Sequence, residues 1–228
     1  MKLFTHSPEY RGFWSFSDKK NALPFTSRVA YLGFYEDLYL LLCILQKHQL
    51  LIPPFKIPQI NRVFESTSIE NIVAEIRQLD YVSRFDLTGC TVIFTESGIE
   101  QYQHIFTIAE FLQYEKDFCL TTRSDIWLPM ACDEDCFSNY VWNLERYKLN
   151  YHRIEAALNE VRSTLNWEDD SYTECDHYLR GNIQLGYRMF LSEQTIKQEY
   201  EDNPNSAFDL EGYLADIHAQ RLKLNAFW

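Results

Sequence analysis

The residues of this 228-residue chain best suited to metal or nucleophilic chemistry are its six cysteines and six histidines. Cys132-x-x-x-Cys136 and Cys175-x-His177 would make a Cys3His zinc set if folding joined them. Neither spacing is that of a zinc finger or ribbon, and roughly forty residues separate the pairs. Unrelated thiols are therefore expected, with no metal ligand assigned. His104 follows Glu100 by one turn of a helix, but no second histidine completes an H-E-x-x-H pattern. The chain has no G-x-S-x-G elbow, no phosphate-binding G-x-x-x-x-G-K-[ST] loop and no G-x-G-x-x-G. The acidic runs Asp133–Asp135 and Glu168–Asp170 read as solvated faces or helix boundaries. No catalytic residue and no cofactor is expected.

Binding is the better prospect. Sixteen Phe, fifteen Tyr and five Trp give a chain rich in side chains that fill cores and anchor interfaces. The formal net charge is −12. Most of it lies in residues 130–228, which carry 9 Lys+Arg against 18 Asp+Glu. A strongly acidic protein repels nucleic-acid backbones on average. The start, MKLFTHSPEYRGFW, lacks the apolar run of a signal peptide, and no segment is long enough to span a membrane. The expected setting is the cytoplasm, with reduced thiols and no membrane contact.

The elements that would position these side chains follow from periodicity. Residues 1–27 are punctuated by Pro8, Gly12, Asn21 and Pro24 and read as an aromatic N-terminal arm. Residues 28–49 repeat apolar side chains at helical spacing. Lys56–Glu65 reads as a second helix burying Ile57, Ile60, Val63 and Phe64. Thr67 and Glu70 form a capping box before a third helix over Ser68–Val82, with Ile69, Ile72, Val73, Ile76 and Leu79 inward. Ser83–Leu87 and Cys90–Thr95 alternate like strands around a turn at Thr88-Gly89. A fourth helix is expected from near Ile99 to about Phe118.

The segment RFDLTGCTVIFTESGIEQY (residues 84–102) resembles the wing of many bacterial winged-helix proteins. The resemblance implies a winged-helix domain over 28–120, centred on Glu36–Gln103. The expected fold is mainly α (α+β): a winged helix with a small β-wing, then a connector at 121–135 and an acidic helical region at 136–228. That last region holds one long amphipathic helix. Its stripe, Phe137, Tyr140, Leu144, Tyr147, Tyr151, Ile154, Leu158, Val161 and Leu165, steps by three and four residues in alternation. The stripe fits either an internal helix of a bundle or a seam for a partner helix or a second copy, with Phe137 to Leu158 as the contact residues.

A winged helix suggests DNA, read by the third helix. Here that helix offers Glu70, Glu75 and Asp80 against Arg77 alone, and residues 36–103 hold Lys47, Lys56, Arg62, Arg77 and Arg84 against a larger number of acids. Lys56, Arg62, Arg77 and Arg84 are the residues a nucleic-acid surface would use, and nucleic acid is disfavoured. The expected function is a non-catalytic protein-interaction subunit of a larger complex. The architecture is similar to the acidic winged-helix accessory subunits of chromosome-maintenance ATPases and anti-phage systems. That similarity implies a protein partner (ATPase, nuclease or toxin) or a homodimer. Two alternatives stand beside it: a winged-helix transcription regulator, and an acidic immunity or inhibitor protein that blocks a nucleic-acid enzyme.

Overall fold

A computed structural model describes residues 12–17, 33–79, 84–112, 117–133, 136–165, 168–169 and 193–225. Its centre is a sheet of seven strands in the order β3-β2-β4-β5-β6-β1-β9, each neighbouring pair antiparallel. The strands are β1 (Gly12–Ser17), β2 (Ile52–Ile57), β3 (Arg62–Phe64), β4 (Arg84–Thr95), β5 (Gly98–Leu112), β6 (Asp117–Thr122) and β9 (Glu168–Asp169). A separate hairpin pairs β7 (Met130–Asp133) with β8 (Cys136–Trp142). The described residues also form five helices: α1 (Phe34–Lys47), α2 (Ile69–Arg77), α3 (Leu144–Leu165), α4 (Glu193–Asp202) and α5 (Leu210–Asn225).

This sheet overturns the winged-helix resemblance and the mainly α expectation; the fold is α+β. Segments read as a helix, a turn and another helix are strands. Pro53-Pro54 starts an extended run in which Phe55 and Ile57 are buried and Lys56 is not, the period-two pattern of a strand. The expected second helix, Lys56–Glu65, is therefore the last two residues of β2, a 3-10 turn at Pro58–Ile60, and β3. Thr88-Gly89 is no turn but the middle of β4, and the hairpin reverses at Thr95–Gly98. Gly98 has φ +132°, a backbone conformation that L side chains rarely adopt, and Thr95 Oγ1 donates to its carbonyl at 3.1 Å. Gly89 lies in a strand because β2 passes close by. A Cβ there would sit 2.7 Å from the Ile52 carbonyl oxygen. The expected fourth helix is β5 and β6. Residues 105–109 are buried without a break, so the alternation that marks a half-buried strand is missing there.

One sheet face carries the apolar core. Phe34 of α1 makes edge contacts with Phe85 and Phe111, and Phe111 stacks on Phe118, which stacks on Phe16. The arm expected at 1–27 thus contributes a sheet strand, with Trp14 and Phe16 buried. Helix α1 buries Phe34, Leu38, Leu41, Leu42 and Leu45, a helical stripe set against that face. Helix α2 buries Ile69, Ile72, Val73 and Ile76. Its N-cap is Ser68, whose Oγ accepts from the Asn71 N–H, in place of the expected Thr67.

Helix α3 lies along the edge that β4 exposes beyond its pairing with β2. Asn150 acts there as a strand surrogate: its Nδ2 donates to the Phe94 carbonyl at 2.8 Å, and its Oδ1 accepts the Phe94 N–H at 3.0 Å. Arg153 is 6% exposed and donates to the Val92 carbonyl at 2.6 Å, with its guanidinium over the Phe94 and Trp127 rings. These contacts satisfy backbone groups that a neighbouring strand would otherwise take.

Candidate functional site

The end of the sheet at β3 is one place where apolar side chains meet solvent, as Ile99 does at the other end of the β4–β5 hairpin. Ile60 on the 3-10 turn is 45% exposed and Val63 on β3 is 41% exposed. Both were expected on the buried side of a helix. As part of an edge they face outward, while Phe55 and Phe64, which pair across β2 and β3, take the core side. Directly paired residues share a sheet face. Val63 pairs with Lys56, Lys56 with Thr88, Thr88 with Thr107 and Thr107 with Thr121, so one row crosses five strands on the face away from α1. Thr88, Thr107 and Thr121 are buried, and exposure rises only at Lys56 and Val63.

A depression of about 250 Å³ opens on this row. Its walls are Pro54 and Lys56 of β2, Val63 of β3, Thr88 and Gly89 of β4, and Gln103 and His104 of β5. The irregular backbone at this level makes it. The β2–β4 register shifts between Ile52 and Lys56, and the β4–β5 register shifts between Thr88 and Cys90. His104 lies in the β5 irregularity with φ +62°, a left-handed conformation uncommon outside glycine. Gln103 and His104 are exposed, so the shift turns polar groups of β5 toward the opening.

Of the four basic residues expected to serve nucleic acid, Arg62 and Arg77 are engaged within the chain. Arg62 Nη2 lies 2.8 Å from Glu75 Oε2 on α2, with its guanidinium over Phe64. Arg77 is held 4.6 Å over the Tyr35 ring of α1. Lys56 lines the depression, and Arg84 opens β4. One helical turn on from Tyr35, Tyr39 Oη donates to Glu70 Oε1 at 3.0 Å. Its hydroxyl pKa is pushed up to about 12 by a hydrogen bond to Cys43 and then by the Glu70 carboxylate. Ser68 Oγ donates to Glu70 Oε2 at 2.7 Å and, with Tyr39, holds that carboxyl below its usual range.

The nine-residue stripe divides at Asn143. Phe137 and Tyr140 belong to strand β8, not to a helix, because residues 136–142 pair with β7. Asn143 is buried, and its Nδ2 reaches the carbonyls of Asp125 and Leu128 at the turn into α3. From there the stripe runs inward: Ile154, Leu158 and Val161 have no exposure, and Leu144 and Leu165 are 8% exposed. Tyr147 and Tyr151 are half-buried and stacked at 4.6 Å. Tyr147 also meets Tyr213 of α5, in a nest with Trp142, Tyr200 and Phe208. Trp142 Nε1 donates to the Asn203 carbonyl at 2.9 Å, tying the α4–α5 connection to the start of α3. A second cavity of about 440 Å³ lies there, with Arg146, Lys148 and Glu145 in its wall.

Of the zinc set, Cys132 and Cys136 lie on β7 and β8, while Cys175 and His177 fall outside the described residues. Among the described residues, no group of His, Cys, Asp and Glu is placed to hold a metal. Nor is any described helix long and apolar enough to cross a membrane.

No protein-family model, curated protein or solved structure matches this chain.

The depression was not legible as a site in the sequence. Its residues come from four strands, three of them read as helix or turn. The only local signal was Lys56 between two buried neighbours after Pro53-Pro54.

Proposed function

We propose that this chain is a non-catalytic interaction subunit that docks a partner polypeptide on the β3 end of its sheet. One observation carries the reading: Ile60 and Val63, two branched aliphatics, stand 45% and 41% exposed on the terminal strand and its turn, next to a depression. A sheet edge offers unpaired backbone groups, and exposed apolar side chains beside it supply anchors for an added strand. The proposal keeps the interaction role and drops the winged helix. The transcription-regulator alternative depended on that fold, and Arg62 and Arg77 are engaged with Glu75 and Tyr35. The inhibitor alternative draws on the acidic C-terminal half, of which residues 170–192 lie outside the described set.

The test is a quantitative affinity capture with wild type and the double variant Ile60→Ser, Val63→Ser. Both side chains are exposed, so the variant's urea midpoint should match wild type. A partner held stoichiometrically by wild type and lost by the variant is expected. A partner held equally by both, or none held by wild type, would sink the proposal.

A further inference from the structure

We infer that α4 and α5 form a cover that opens from the start of α3 as one unit while the sheet and its other helices stay folded. Three features of the seam beneath this cover point to it, and none of them depends on the β3 end. The first is the hydroxyl of Tyr213 on α5. Tyr213 is 8% exposed, yet its Oη makes no hydrogen bond with a described residue. The neighbouring rings of Phe208 and Tyr147, centred 5.1 and 6.4 Å from its own, surround it with apolar surface. A hydroxyl buried without a partner gives up its bonds to water and gains none in exchange. The closed seam bears that cost, and opening removes it.

The second feature is the packing. The 440 Å³ cavity lies in the same seam, lined by Trp142, Leu144 and Lys148 on the α3 side and by Asn205 and Ala207 of the α4–α5 connection. Side chains that face an opening of this size forgo the contacts a close-packed core would give them. The third is the hydrogen bonding. Trp142 Nε1 donates to the Asn203 carbonyl at 2.9 Å, and Lys148 Nζ donates to the Ala207 carbonyl at 3.5 Å. Asn203 and Ala207 are exposed, so water competes for both bonds. What holds the cover shut is the aromatic nest, in which Trp142 meets Phe208 at 5.0 Å and Tyr200 at 6.0 Å. By contrast, α3 is tied to β4 by the buried side chains of Asn150 and Arg153. Native proteins open first where buried contacts are fewest and hydrogen bonds are solvated. Opening would turn the half-buried rings of Trp142 and Tyr147, beside Arg146 and Lys148, toward solvent as a surface that the closed form withholds.

The test is native-state amide hydrogen exchange of the full chain, labelled with nitrogen-15, at urea concentrations below its unfolding transition. Protection in α4 and α5 is expected to be at least a hundredfold lower than in β4 and β5, with one urea dependence shared by both helices. Tyr213→Phe keeps the ring and removes the hydroxyl, and should slow exchange in α4 and α5 about tenfold. Phe111→Leu weakens the sheet core, where its ring meets Phe34, Phe85 and Phe118. It should speed exchange in β4 and β5 and leave α4 and α5 unchanged, because the sheet stays folded in the open form. Equal protection in the sheet and in α4 and α5, or an equal gain in rate in all of them with Phe111→Leu, would overturn the inference. Separate urea dependences for α4 and α5 would do the same, since the helices would then fray singly. An unchanged or faster rate in α4 and α5 with Tyr213→Phe would overturn it as well, by showing that the hydroxyl is satisfied when the seam is closed.

Discussion

Glu160 of α3 shows how a single side chain joins two helices. Lys47 Nζ lies 2.8 Å from both its carboxylate oxygens, and His48 Nε2 lies 2.8 Å from Oε2. The Lys47 bond first, then the His48 bond, holds the Glu160 carboxyl below the ordinary range. A carboxyl depressed in the folded state contributes stability above its unfolded pKa of about 4.3, and that contribution is lost as pH falls through the lower folded value. Lys47 is 64% exposed, so solvent screens the pair and its worth is roughly 1 kcal/mol or less. Glu160→Gln should therefore lower the urea midpoint slightly at pH 7, and the loss should shrink as pH falls below the ordinary carboxylate range. A loss that persists undiminished into acid would show that the charge is not the cause. Arg153, two turns earlier, obeys a different rule. It is charged, buried and held by carbonyls, and burial lowers its pKa to about 10. Its packing over Phe94 and Trp127 makes it part of the core as much as an ion.

Elements rather than residues decided which parts of the fold could be read in advance. Helices α1 and α2 were legible because each has one buried stripe and one solvated face, which periodicity detects. Most of β4 was legible as strand on either side of Thr88-Gly89, whereas β5 was not, because residues 105–109 are buried without a break and leave no alternation. The irregularity at Gly89 and His104 further interrupts the pattern, and it is this irregularity that makes the depression. A turn residue was read where the sheet needed a residue without a Cβ. The stripe at 137–165 misled in another way. Its first two members, Phe137 and Tyr140, fit a helical spacing by position, yet Cys136–Trp142 pairs with β7. The helix starts at the residue after Asn143, whose amide is spent on the carbonyls of Asp125 and Leu128. Asn150 then does for β4 what another strand would do. Replacing it with leucine, which has the same heavy-atom branching, removes both hydrogen bonds to Phe94 together with those to the Arg146 carbonyl and from Arg153. A loss of about 1–3 kcal/mol is expected, since partly buried backbone groups lose partners. Amide exchange at Phe94 should speed up while exchange in α1 follows the global change alone. Unaltered protection at Phe94 would mean that the Asn150 bonds contribute nothing.

At the scale of the whole molecule, the question is which surfaces remain for partners. A stripe of apolar residues on a long helix can serve the chain's own core or a second chain, and sequence alone does not separate the two. Burial does so for the aliphatic half: Ile154, Ala157, Leu158 and Val161 have no exposure, and α3 packs on α1 and β4. Side chains already enclosed by their own chain have no contact area left to offer another. The docking surface proposed above lies elsewhere, on the exposed aliphatics of the β3 end, which with Leu40, Ile99, Val141 and Leu149 are the large apolar groups in contact with solvent among the described residues. This division makes opposite demands on two substitutions. Leu158→Ala should lower unfolding stability by about 2–5 kcal/mol, as cavity-forming changes in cores do, and leave the mass in solution unchanged. Val63→Ser should leave stability nearly unchanged and abolish partner capture. Light scattering at several concentrations, alongside urea unfolding, reads both. If Leu158→Ala instead converted a dimer to a monomer with little loss of stability, the stripe would be the intermolecular contact and the β3 end would lose its claim as the main docking surface.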